Sequence, residues 1–120
     1  MIAQSEAERF VKGWADAWNR QDLEAILAHY ADDVELTSPF VVQILGDPAG
    51  TLRSKEQVRS YFAMGLAMFP DLSFEVHLVC PGVSSIAVYY RAIDDTPAAE
   101  VMILNSEGKI NRVLAHYQMD

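Results

Sequence analysis

The sequence predicts an α+β fold in which three N-terminal helices pack on a strongly twisted, mainly antiparallel sheet. Three observations lead there. Apolar residues recur at three- and four-residue spacing up to Phe69. After Pro70 the period changes to two. Turn residues then cut the second half into four runs of strand length. The chain has 120 residues, about half of them apolar, enough for one domain with a core of its own. Residues 1–120 are read as that single domain.

Residues 5–19 form the first helix, because Ala7, Phe10, Val11, Trp14, Ala17 and Trp18 make one apolar stripe. Asn19-Arg20-Gln21 interrupts it. Asp22 then suits a helix N-cap, since its carboxylate can accept from the free amides of the next turn. Leu23, Ile26, Leu27 and Tyr30 give the stripe of a short second helix. Asp32-Asp33 read as a turn and Val34–Ser38 as a short strand, ended by Pro39, which has no amide for a ladder. Residues 40–53, with Gly46, Pro48 and Gly50, read as a loop. Ser54 and Gln57 have the spacing of a capping box. Val58, Tyr61, Phe62, Gly65, Leu66 and Phe69 follow as the face of a third helix.

Beyond Pro70, Leu72, Phe74, Val76, Leu78 and Cys80 alternate with Ser73, Glu75 and His77. Pro81-Gly82 turns the chain into Ile86, Val88 and Tyr90. Asp94–Pro97 turns it into residues 98–105, and Ser106-Glu107-Gly108 into residues 109–118. A twisted sheet wrapped around the helices leaves a conical space lined from both sides.

Composition narrows the partners. Net charge is −8, and the nine basic residues are scattered singly. No basic stripe exists for nucleic acid, and an anionic membrane surface is disfavoured for the same reason. No apolar run reaches bilayer length, and residues 1–6 do not read as a secretory signal. The single Cys80 fits a reducing, cytoplasmic setting, and its place in an apolar run points to a buried structural thiol.

Alternation sorts the sheet residues into two faces. Ile86, Val88, Tyr90, Ala98, Glu100, Met102, Val113, Ala115 and Tyr117 share one, and Ala87, Tyr89, Arg91, Ala99, Val101, Ile103, Arg112, Leu114 and His116 share the other. The first face holds one carboxyl group, Glu100, among apolar groups. Burial there would raise its pKa and let the neutral acid donate a hydrogen bond. The alternative is that Glu100 pairs with an arginine or a water. Trp14, Trp18, Phe40, Phe62 and Met102 make an apolar wall, and Tyr30, Tyr61, Tyr90 and Tyr117 add hydroxyl donors. All of these can equally be core packing. The second face, apolar with a charged rim, predicts a homodimer joined through it.

The segments Trp14-Ala15-Asp16-Ala17-Trp18-Asn19, Asp22-Leu23, Tyr30-Ala31-Asp32-Asp33-Val34, Phe69-Pro70-Asp71-Leu72 and Gly108-Lys109-Ile110 together resemble the SnoaL-like and ketosteroid-isomerase branches of the nuclear transport factor two-like superfamily. The likeness runs from about Ala7 to Gln118. It implies a cone-shaped fold whose pocket is lined by the face bearing Glu100. It also implies an acid at or next to Glu100: the oxyanion-hole acid of the isomerases, or the acid/base carboxylate of the cyclases. Two positions depart from the isomerases. Ser38 stands where they keep the general base, and Trp14 where they keep the oxyanion tyrosine. Classical steroid isomerisation by that residue set is therefore not expected.

His29, His77 and His116 lie too far apart for a local metal motif, and the acid pairs Asp32-Asp33 and Asp94-Asp95 lack the ligand spacing of a calcium site. No metal or cofactor is called for. A one-residue slip of the last strand would turn His116 into the cavity as a base, so it is kept as a second catalytic candidate. The expected function is cofactor-free proton transfer on a small apolar carbonyl compound, with Glu100 as acid or base. Trp14, Trp18, Tyr30, Ser38, Phe40, Tyr61, Tyr90, Met102 and Tyr117 are the expected ligand contacts. The alternative is a non-catalytic binding module of the same fold. A filled dimerisation module without a cavity is the third reading.

Overall fold

A computed structural model describes residues 1–119. Four helices pack on one mixed six-stranded sheet, an α+β arrangement. Helix α1 spans Gln4–Asn19 and α2 spans Leu23–Leu27. Strand β1 covers Tyr30–Thr37, α3 Pro39–Leu45, β2 Thr51–Arg53 and α4 Lys55–Met68. Strands β3 (Glu75–Pro81), β4 (Ser85–Arg91), β5 (Pro97–Leu104) and β6 (Ile110–Tyr117) complete the chain. The sheet order is β2-β1-β6-β5-β4-β3. All neighbouring pairs are antiparallel except β1 with β6, which run parallel. That parallel pair brings the start of the fold back beside its end.

The local signals explain most of these elements. The apolar stripe of α1 is buried along Ala7, Val11, Trp14 and Trp18. Asp22 caps α2 by accepting from the Ala25 amide at 3.1 Å. Ser54 accepts from the Gln57 amide to cap α4, while the Gln57 side chain reaches back to the Arg53 amide at 2.8 Å, one residue before the cap. Helix α1 lies on β3, and α4 lies on β1. Val34, Val41, Val58, Ile86, Val88, Met102 and Ile110 are fully buried between these layers.

Four sequence expectations need correction. Tyr30 does not close the second helix; it opens β1, and Asp32-Asp33 lie inside that strand instead of forming a turn. Hydrogen bonding of the Ile110 amide to the His29 carbonyl at 2.9 Å, beside the Tyr30–Ile110 pairing, draws this segment onto the sheet. The segment read as a loop contains α3 and β2. Ser38 is the N-cap of α3, Pro39 follows it, and Gly46 ends the helix in the left-handed region at φ 73°. In β3 the register shifts between Val76 and Leu78. A bulge adds one residue and exchanges the faces beyond it. Val79 therefore turns inward, while Leu78 is 58% exposed and Cys80 is exposed, not a buried thiol.

The two faces of β4, β5 and β6 are as alternation predicts. Ile86, Val88, Tyr90, Ala98, Glu100, Met102, Val113 and Ala115 are buried against the helices. Ala87, Tyr89, Ala99, Arg112 and His116 are exposed on the outer side.

Candidate functional site

The concave face of the sheet and the helices do not close completely on each other. The reason lies in side-chain size. Along β5 and β6, Ala98 is paired with Tyr117 and Glu100 with Ala115. Ala92 follows the end of β4. Of these alanines, Ala92 and Ala115 line the space, which larger residues there would fill. The result is a cavity of about 70 Å³, room for several waters or a small molecule.

Trp14 and Trp18 come from successive turns of α1, Tyr30 from the start of β1, and Ser38 from the cap of α3. Phe40 belongs to α3, Tyr61 and Phe62 to α4, and Tyr90, Glu100 and Tyr117 to three adjacent strands. Phe40, Tyr61, Ile93 and Tyr117 line the cavity yet keep partial exposure, which marks its opening. Of the expected ligand contacts only Met102 is not part of the lining. It shares the inward face but sits two residues beyond Glu100, between Ile86 and Val113, where the core is packed solid. Phe74, Leu36, Leu72, Ala92, Ile93 and Ala115 line the cavity without having been singled out. Phe74 had the necessary signal, an inward place in the alternation before β3. The small residues carried none, because a void is read from what is missing.

The aromatic wall is continuous. Trp14 meets Tyr90 edge-on at 5.3 Å between ring centroids, Trp18 meets Phe62 at 4.7 Å, and Phe74 touches both tryptophans at 5.2 Å. Phe40 and Tyr117 pair at 4.3 Å near the opening. These contacts fix the rings in edge-on and tilted arrangements favoured by aromatic quadrupoles.

Two hydrogen bonds organise the polar groups. Tyr90 Oη donates to Glu100 Oε1 at 2.8 Å, and Trp14 Nε1 donates to Tyr30 Oη at 3.0 Å. Glu100 is 6% exposed. Neither an arginine nor a lysine lines the cavity among the described residues, so Glu100 has no cationic partner there. Burial pushes its pKa up to about 7, and the Tyr90 hydroxyl draws it part of the way back. The tyrosines move the other way from usefulness as bases. Burial chiefly, and then the nearby Glu100 charge, raise Tyr30, Tyr90 and Tyr117, so they remain protonated donors. Tyr61 is raised by burial as well, with Ser38 lowering it slightly. Tyr90→Phe should thus lift Glu100 further above 7, because it removes the group that favours the ionised form. Carboxyl-carbon NMR titration reads this directly, and an unchanged or lower value would refute it.

His116 stays outside. It is paired with Ala99 on the outer face, exposed, with Nδ1 3.3 Å from the Ala99 carbonyl. The register shift in this hairpin falls between Ile103 and Leu104, so it leaves His116 facing away from Glu100. His77 pairs with Glu75 at 2.7 Å, also at the surface. Among the described residues no group of three His, Cys, Asp or Glu side chains is placed to hold a metal ion, and no helix is long and apolar enough to cross a membrane.

Comparison with known proteins extends this picture. The SnoaL-like domain model matches residues 11–119. A SnoaL-like protein of unknown function from Burkholderia thailandensis E264 is similar over 98% of both chains, with 46% identity and a TM-score of 0.95. The epoxide hydrolase/cyclase-like enzyme SalBIII of salinomycin pyran-ring formation shares 20% identity over 99% of this chain and 95% of its own, with a TM-score of 0.77. A protein with a cystatin-like fold from Methylobium petroleophilum PM1 shares 13% identity over 99% of this chain and 80% of its own, with a TM-score of 0.78. These last two likenesses concern the fold alone. No curated protein sequence matches.

Proposed function

The chain belongs to the SnoaL-like family, and from that premise we propose that it binds a small apolar carbonyl compound in the aromatic cavity and moves a proton on it without a cofactor. One observation carries the proposal. Glu100 is the only carboxyl group lining the cavity among the described residues, and its pKa is pushed up to about 7. Near neutral pH such a group is present in both forms. It can take a proton from carbon beside a carbonyl and return it at another position, so one residue serves as base and then acid. The surrounding tyrosines supply donors for the oxygen on which charge develops. Isomerisation or aldol-type cyclisation are the reactions this arrangement supports.

The test uses hydrogen exchange. Acetophenone in deuterated water should exchange its methyl protons faster with the protein than without it, as followed by proton NMR. Glu100→Gln should abolish the acceleration while the fold is kept. Binding of acetophenone with no faster exchange would favour the second reading, a non-catalytic binding module. That reading has its own support, since no second base of ordinary strength stands beside Glu100.

The protein is further proposed to work as a homodimer joined through the outer sheet face. Tyr89 is exposed there, and Val101, Ile103 and Leu114 are only partly covered. The bulge in β3 adds Leu78, which pairs with Tyr89 and is 58% exposed. The rim carries Arg112 paired with Glu35, and His77 paired with Glu75. An apolar centre with a charged border is the anatomy of an interface. Light scattering at micromolar concentration should give twice the chain mass of 13.4 kDa. The double variant Val101→Asp, Ile103→Asp should fall to the single mass, and a wild-type protein already at that mass would reject the dimer.

A further inference from the structure

We propose that the Trp18 indole N–H and the Tyr30 hydroxyl together hold the oxygen of the bound molecule, so that the cavity selects uncharged apolar compounds bearing one hydrogen-bond acceptor. The inference rests on the reading of the cavity as a ligand site and adds where the ligand's oxygen lies.

Trp18 is 7% exposed and its Nε1 has no hydrogen-bond partner among the described residues. A buried N–H left unpaired is costly, and native proteins seldom keep one without a use. Trp18 is one of the residues lining the cavity. Its neighbour explains what it waits for. Trp14, one turn earlier on α1, donates to the Tyr30 oxygen at 3.0 Å. A phenol has one proton of its own, so an oxygen engaged as acceptor turns that proton elsewhere. The Trp18 N–H lies near the same hydroxyl and favours its ionised form, but it does not reach hydrogen-bond geometry. Among the described residues, neither the Trp18 N–H nor the Tyr30 hydroxyl donates a hydrogen bond.

The remaining polar groups do not supply that acceptor. Glu100 is bonded to Tyr90 and accepts from neither Trp18 nor Tyr30. The other unpaired buried atom, Asn111 Oδ1, is not in the cavity wall. Charge narrows the ligand class further. No Lys, Arg or His lines the cavity among the described residues, so an anion would be desolvated with no counter-charge and would lie near Glu100. A cation would meet donor protons at Trp18 and Tyr30. A neutral acceptor, such as a ketone, ether or epoxide oxygen, satisfies both. This placement also separates two tasks. Trp18 and Tyr30 hold the oxygen, which leaves Glu100 free to exchange a proton with carbon.

The experiment compares acetophenone with α-methylstyrene, which has nearly the same shape but carries a methylene carbon in place of the oxygen. The chain has two tryptophans, giving two indole signals in a nitrogen–proton correlation spectrum, and Trp18→Phe identifies which is which. Acetophenone should move the Trp18 indole proton downfield, while α-methylstyrene should not. Trp18→Phe should weaken acetophenone about 3- to 10-fold, the range of one neutral hydrogen bond, and leave α-methylstyrene within about twofold. The undisturbed Trp14 signal reports that the variant is folded. Equal weakening of both probes would overturn the inference by showing that Trp18 acts through shape. So would binding of both probes with the Trp18 signal unmoved, and in that case the cavity would stand as a ligand site without this contact. Failure of both probes to shift any cavity resonance would overturn the contact and the ligand site together.

Discussion

Glu100→Gln is expected to be more stable than the wild type above neutral pH by about 3 kcal/mol, and equal to it at pH 4. Burial moves the Glu100 pKa from 4.5 to about 7. The unfolded chain releases this proton near 4.5, whereas the folded chain holds it to about 7. Between these values the folded state binds more protons, so stability falls as pH rises and levels off above 7. The gap corresponds to about 3 kcal/mol at about 1.36 kcal/mol per unit. Glutamine has the same shape, cannot ionise, and keeps a carbonyl oxygen for the Tyr90 hydroxyl. Other groups titrate in both proteins alike and cancel in the difference. Urea denaturation at intervals from pH 4 to pH 8.5 measures it, and parallel curves would show that Glu100 is ionised in the fold at ordinary cost. The same substitution should reduce proton exchange at least about a hundredfold, the usual contribution of a positioned acid–base group. The wild-type rate should rise with pH through about 7, where the ionised base becomes populated.

The residue on which this rests was legible because strand alternation is a local signal. Once Tyr90, Glu100 and Tyr117 are assigned to one face, their convergence follows from the pleat and from hairpin pairing. Helix stripes on either side placed Trp14, Trp18, Tyr61 and Phe62 opposite them in the same way. What alternation could not reveal was any departure from it. The β3 bulge exchanges faces after Val76, and the sequence Val76-His77-Leu78-Val79-Cys80 alternates acceptably in either register. Tyr30 has the spacing of α2 and is nonetheless drawn onto β6 by a parallel pairing between residues 80 apart in the chain. Such a contact leaves no local mark. Helix α3 did leave one. Ser38 followed by Pro39 is a helix-start signal, but the glycines and prolines of the next residues outweighed it. The consequence bears on the site. Ser38 stands in the cavity wall as a cap that accepts from the Phe40 amide at 3.2 Å, so its oxygen is already engaged by the backbone. Neither the unpaired Trp18 N–H nor the Trp14–Tyr30 bond can be read from sequence, since both depend on side-chain directions in three dimensions.

Trp14→Phe and Trp18→Phe should differ in stability although they delete the same atoms from the same helix face. Both tryptophans are nearly fully buried, at 1% and 7% exposure, and both pack against Phe74. Losing the outer indole ring leaves a comparable void in each case, with a comparable packing penalty. The N–H groups are not comparable. In Trp14→Phe the Tyr30 hydroxyl loses its donor in a buried place, which adds the cost of a broken hydrogen bond. In Trp18→Phe an N–H without a partner disappears, which relieves a desolvation cost already present in the native state. The first variant should therefore fall below the second by about 1–3 kcal/mol. Guanidinium denaturation of the two proteins at pH 7, without ligand, gives the difference. Equal losses would mean that the Trp14–Tyr30 bond contributes no net stability. The gap between the two variants should then narrow by about 0.7–1.4 kcal/mol at saturating acetophenone, the equivalent of a 3- to 10-fold difference in affinity. Trp14→Phe retains the Trp18 donor and gains stability from the ligand, because a molecule that binds only the folded state shifts the equilibrium toward it. Trp18→Phe gains less at the same concentration, having lost the contact that the free protein leaves open.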